Sequence, residues 1–197
     1  MGSGAETLWG VVIGALLATV GGFAATQMEA VLRRRERERS AALLFGEILA
    51  ALDLITRITD ETRGRGEPYG PLTMRMLRAV RRETEAYDRN REQLYDLRNA
   101  KIRAQIHGLM VRITLALEGI ADAASQIAAV QAAMSALNPD DPARRDLASQ
   151  LAALAENRHA TFDFMMEAAG QIKPIVAVLR PLARQTFDEH EAVLRGG

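Results

Sequence analysis

The stretch TLWGVVIGALLATVGGFAATQM, residues 7–28, carries no charged side chain and lies between Glu6 and Glu29. As a helix over 8–28 it rises about 31 Å, which matches the hydrocarbon core of a bilayer. It is rich in Gly and Ala, so the competing reading is a buried helix of a soluble protein, although uncharged runs this long are rarely soluble. Trp9 stands where an interfacial aromatic would sit, and Arg33, Arg34, Arg35, Arg37 and Arg39 form a collar beyond the other end. No Lys or Arg precedes the run. The positive-inside rule therefore predicts an N-terminus outside the inner membrane and a cytoplasmic remainder. A cleaved signal peptide has its positive charges before the apolar run, so the expectation is an uncleaved anchor. Ser3 and Glu6 have the spacing of a capping box that would start this helix.

Within the run, Gly10, Gly14, Ala18 and Gly22 recur every fourth residue. On a helix they share one face, where a second backbone can approach closely and form many dispersion contacts. Chance composition of a Gly/Ala-rich span gives the same spacing. The groove suits a helix of another protein as well as a second copy.

Beyond the collar the helical period continues through Leu44, Ile48, Ala51, Ile55 and Ile58, widened by Phe45 and Leu52. No proline occurs before Pro68, so one helix is predicted over about 3–62, ending in a Gly/Pro break at 63–71. A charged helix over 72–94 presents the narrow apolar edge Met76, Leu77, Val80, Tyr87 and Leu94, which suits a covering position. A turn at 95–98 and an Asn99 cap lead into a helix over 100–137, with a stripe from Ile102, Ile106, Leu109 and Ile113 to Ile127 and Met134. Asp141 and Pro142 start a helix over 142–179, with a stripe from Leu147, Leu151 and Leu154 through Phe162 and Met165 to Val176 and Leu179. Pro174 should kink it and Pro181 should end it. The short connection makes these last two an antiparallel hairpin centred near 139–140. A short tail helix is expected within 182–194. No run alternates with period two. The predicted fold class is all-α: an N-terminal transmembrane helix continuing into a cytoplasmic antiparallel helical bundle or long helical hairpin, coiled-coil-like in its seams. The expected organisation is an anchor over 1–32, a collar and cytoplasmic helix over 33–62, the break, and a bundle over 72–197.

Twenty-five basic and 25 acidic side chains among 197 residues give zero net charge, which disfavours nucleic acid as a partner. The balance hides an asymmetry: residues 33–112 hold 18 bases and 12 acids, residues 113–197 hold 7 and 11. Such a chain suits orientation against a charged surface. With no cysteine, disulfides, thiolate metal sites and Cys nucleophiles are excluded. The 23 Arg against 2 Lys, with 34 Ala, have the bias of a high-GC bacterial genome.

The succession of span, collar, SAALLFGEILAAL (40–52), Gly/Pro break and EAYDRNREQLYDLRNAKIRAQI (85–106) resembles a group of single-span bacterial inner-membrane proteins with a cytoplasmic helical domain. The resemblance covers about residues 8–110 and implies an anchor and a helical cytoplasmic part. It brings no activity, cofactor or catalytic residue.

A search for chemistry finds little. The segment RGRGEPYG (63–70) has neither phosphate-loop pattern, and no strand precedes it. A solvated loop is the simpler reading of Arg63 and Arg65. Neither GxSxG nor HExxH occurs. Glu156 and His159 have the spacing of carboxylate-bridged metal sites, and the hairpin register brings Glu118 and Asp122 opposite, but the second such motif is missing. The same register sets Arg158 against Glu118 and Asp122, and Arg112 against Glu167, as charges that fix pairing. Met165 and Met166 suit gap-filling core, and His190 an acidic surface. The expectation is no catalytic residue, cofactor or metal. The predicted function is a membrane-anchored interaction or scaffold protein that self-associates or serves a larger complex. The alternatives are a signalling element relaying membrane events, or a metal-binding helical bundle.

Overall fold

The computed structural model describes residues 3–65, 67–184 and 187, with side chains described from residue 21 onward except those of 24 and 25. Among the described residues the protein is all-α, with no strand. Helix α1 (Ser3–Arg63) is one unbroken helix of 61 residues. No proline interrupts its ladder of backbone hydrogen bonds. Helix α2 (Pro71–Asn90) starts where Gly70 adopts an extended conformation and Pro71 takes the first helical position, where a missing N–H costs nothing. The expected single helix over 72–94 is instead α2 followed by a 3-10 helix, Arg91–Asp96, because the backbone leaves the α region at Asn90.

Helix α3 (Ala100–Ala136) is capped by Asn99, whose Oδ1 accepts the N–H groups of Lys101 at 2.9 Å and Ile102 at 3.3 Å. The turn into α4 (Ala143–Ala169) is closed from both sides. Asp141 Oδ1 accepts the Ala143 N–H at 2.9 Å, and Arg144 Nη1 donates to the carbonyls of Met134 at 2.8 Å and Leu137 at 3.2 Å. These contacts satisfy groups that a helix end leaves open.

The helix predicted over 142–179 is two helices. Helix α4 stops at Ala169, and α5 (Ile172–Ala183) begins after Gly170 and Gln171. Pro174 is the cause, acting one turn ahead of itself. Its ring would clash with the carbonyl four residues back, that of Gly170, so the chain breaks there and Pro174 falls in the first turn of α5. Pro181 does not end α5 either. The helix runs on to Ala183, and Arg184 closes it in the left-handed region, φ 57°, with its N–H on the Arg180 carbonyl at 3.0 Å. Of the rest of the expected tail helix, Phe187 is at a bend and the other residues lie outside the described residues.

Helix α1 packs on α2 and α5, α2 also meets α3, and α3 pairs along its length with α4. One continuous core joins them, with Phe45, Leu49, Tyr87, Ile106, Ile113, Met165 and Leu179 among its members. A Cβ on Gly119 would meet Thr161 Cγ2 at 3.0 Å, so the α3–α4 register turns about residue 140, as the spacing predicts. The apolar stripe of α1 departs from expectation at its end. Ile58 is exposed, while Thr56 and Thr59 are buried and bond back to the Leu52 and Ile55 carbonyls at 2.7 and 2.6 Å.

Two parts extend beyond this body. Every side chain described over 21–37 of α1 is exposed. At the other end α3 and α4 run past Arg63, the last residue of α1, as a two-helix arm about 27 Å long from residue 158 to the turn. Two helices enclose a seam only in part: Ile127 and Val130 of α3 are buried there, while Leu147, Leu151, Leu154 and Met134, expected in the core, are half-buried.

Candidate functional site at the basic end

Helix α1 enters the body at the end where the 3-10 helix turns into α3 and where α5 finishes. Glu38 ties the first of these to α1: its carboxylate accepts the Arg98 backbone N–H at 3.1 Å and pairs with Arg98 Nε at 3.3 Å. Arg39 ties the second, donating from Nε to the Ala183 carbonyl at 3.3 Å. Phe187 closes the corner. Its ring lies where a Cβ on residue 46 would be, so only glycine at 46 admits it against α1.

The sequence brings the collar arginines to this end, and the fold adds more. Arg33, Arg34, Arg35, Arg37 and Arg39 are all exposed on α1. Arg33 is paired with Glu29, and Arg39 lies 3.8 Å from Glu36. Arg98, Lys101 and Arg103 arrive from the start of α3, and Arg180 and Arg184 from the end of α5. Open clefts flank α1 on both sides. One, of about 520 Å³, is lined by Arg34, Arg37, Tyr95, Asp96, Arg98 and Arg103. Another, of about 260 Å³, lies between Arg35, Glu36, Arg39 and the Pro181, Leu182 and Arg184 end of α5. Such an arrangement can hold anions. Nothing in it resembles a nucleophile beside a base.

At the far end of the body, arginines are used differently. Arg63 lies over the Phe162 ring, 4.1 Å from its centroid, and pairs with Asp163 at 2.7 Å. Arg158 lies 3.8 Å from the centroid of Tyr69, whose hydroxyl is 3.3 Å from the Arg158 carbonyl and 3.1 Å from His159 Nδ1. Tyr69 is a buried residue of the Gly/Pro loop, and burial pushes its phenol above the usual range, partly offset by Arg63 and Arg158. Arg63 is therefore no solvated loop cation, contrary to the composition of its segment. Arg65 does face solvent, 3.4 Å from Glu61.

Several expected constellations are not assembled. Arg158 turns to Tyr69 rather than to Glu118 or Asp122, and its buried Nε has no hydrogen-bond partner. Arg112 and Glu167 are not joined by an ion pair in the structure. His159 is engaged by Tyr69 while Glu118, Asp122 and Glu156 are exposed, and no group of three or more His, Asp or Glu comes together among the described residues. Of the association face, Gly22 is open, with nothing within 4 Å of a Cβ placed there. Around Gly10, Gly14 and Ala18 the backbone is helical, and their side chains, like those of Trp9, Ser3 and Glu6, lie outside the described residues. His190 lies outside them too.

Sequence reasoning missed Tyr95, Arg98, Arg103 and Arg184 as neighbours of the collar. The excess of bases over 33–112 is the one signal that pointed toward the first three. Among the described residues one helix, Ala100–Ala136, is long and apolar enough to cross a membrane by length and composition; it is α3, the helix that pairs with α4 and carries much of the core. In comparisons with known proteins, no family model, no curated protein and no solved structure matched the chain.

Proposed function

We propose that this protein is a single-span membrane protein whose cytoplasmic helical bundle serves as an interaction or scaffold module, self-associating or joining a larger complex. The observation that carries the reading is the exposed stretch of α1. Phe23 and Met28 are 66% and 67% exposed, Val31 and Leu32 follow, and no other element covers them. A helix that displays large apolar side chains to solvent and then a ring of five arginines fits a bilayer edge followed by its headgroups. Each arginine near an anionic surface contributes roughly 1 kcal/mol of attraction.

The test is fractionation and topology of the full chain. It should sediment with membranes, resist alkaline extraction, and place a reporter fused after Gly197 in the cytoplasm. Recovery in the soluble fraction would end the anchored reading, and a reporter active only outside the membrane would reverse the orientation. Replacing Gly14 by Ile should weaken self-association or remove a co-purifying protein, because the branched side chain forces helices apart. If neither changes, the small-residue face is compositional.

One observation favours a second reading, a signalling element. Helix α1 runs without interruption from its uncharged stretch into the core at Phe45 and Leu49. Motion of the span would reach the body without a joint between them.

A further inference from the structure

We infer that the cleft between α1 and the start of α3 binds a headgroup carrying two phosphates, as on a dianionic phospholipid. Four guanidinium groups line it, Arg34 and Arg37 from α1 and Arg98 and Arg103 from across the cleft, against two carboxylates, Asp96 in its lining and Glu38 paired with Arg98. The far pair is fixed before any ligand arrives. Arg103 Nη1 donates to the Leu97 and Arg98 carbonyls, and Arg98 is held through Nε by Glu38. Both keep further N–H groups, since a guanidinium has five donors. The near pair, Arg34 and Arg37, has no partner among the described residues.

Arginine forks recognise phosphate oxygens bidentately, and each pair of forks can neutralise one phosphate. Two pairs on separate elements, facing about 520 Å³ of open space, suit two linked phosphates better than one. The lipid source rests on the anchored reading above. Residues 34 and 37 follow the end of the uncharged run by about 9–14 Å of helix, just beyond a headgroup layer of roughly 5–8 Å, and their long side chains reach back to it. Tyr95, 78% exposed on the rim of the cleft, is the residue type that settles at that level.

The experiment uses the full-length protein in phosphatidylcholine nanodiscs, alone or with cardiolipin or phosphatidylglycerol, and inorganic pyrophosphate as the soluble probe. The double variant Arg34→Gln/Arg37→Gln is compared with Arg33→Gln/Arg35→Gln, which removes equal charge from the same helix but lines other clefts. Cardiolipin should bind in preference to phosphatidylglycerol, and the first variant should lose about tenfold or more in that binding while the second loses little. Equal losses in both variants would mean diffuse attraction to the collar and overturn the site. Pyrophosphate bound as tightly as cardiolipin, with the same loss in the first variant, would keep the diphosphate chemistry and overturn the lipid source. Failure of the anchored reading shows separately, as protein in the soluble fraction.

Discussion

The two ends of the helical body are both rich in arginine, and the side chains do opposite work there. Around Tyr69 and Phe162, Arg63 and Arg158 lie against aromatic faces and close the seam between the Gly/Pro loop and α4. Around Glu38, Arg39, Arg98 and Arg103 are engaged with other elements, and the remaining collar arginines face water. A guanidinium over a ring in a partly desolvated place contributes up to about 2 kcal/mol, while an exposed ion pair contributes about 0–1 kcal/mol. The first end is therefore part of what holds the fold, and the second is available for what lies outside it. Residue type does not distinguish them; the neighbouring element does.

The contrast should appear most strongly in stability. Phe162→Ala removes a fully buried ring, the platform for Arg63 and an edge contact to Tyr69, and should cost about 3–5 kcal/mol in denaturant unfolding of the purified chain. A loss below about 1 kcal/mol there would mean that the aromatic junction is not part of the folding core. Next in size is the coupling of Tyr69 with Arg158. A double-mutant cycle with Tyr69→Leu and Arg158→Leu should give about 0.5–2 kcal/mol, and a value indistinguishable from zero would dissolve the pairing.

The junction should also mark itself by pH. Tyr69 and Tyr87 are both raised above the ordinary value of 10.0, first by burial. The folded state thus holds these protons more tightly than the unfolded one. The associated stability is fully present below pH 10.0 and is lost as pH rises through the raised values. Denaturation midpoints should fall in that alkaline window, and Tyr69→Phe should flatten part of the fall. An unchanged slope in this variant would assign the effect elsewhere. Smallest of all is the effect of the collar on the fold. Arg33→Gln, which breaks an exposed pair with Glu29, should change stability by less than about 0.5 kcal/mol. A larger cost would show that the basic end is structural after all.

How far the sequence reaches can be read from the same two ends. The long helices were legible because their signals are local: no proline before Pro68, an Asn99 cap, and apolar residues at spacings of three and four from Ile102 to Ile127. The α3–α4 register was legible from the length of the turn. What escaped depends on elements far apart in the chain. Thr56 and Thr59 read as polar, yet they are buried because each satisfies its own hydroxyl within the helix. Tyr69 sits in a segment whose glycines and prolines announce a loop, and nothing local says that Arg158, 89 residues on from it, will cover its ring. Charge complementarity suggested carboxylates for Arg158, but the aromatic face lay nearer. The candidate cleft is half legible. Its α1 wall is the collar, and its other wall comes from α3 only once α2 has brought the chain back to Glu38.

The continuity of α1 has a consequence for phase. In an α-helix each residue advances the face by about 100°, so an unbroken helix carries a fixed angular relation from one end to the other. The face holding Gly22 and the face holding Phe45 and Leu49 are thus locked in azimuth, with no proline between them to absorb a change. One residue inserted near Ser40 would rotate everything before it by about 100° relative to the body, whereas seven would return it nearly to its starting angle. Whatever meets the N-terminal half of this helix from the side therefore also meets the body at a set bearing, as two gears keyed to one shaft must turn together.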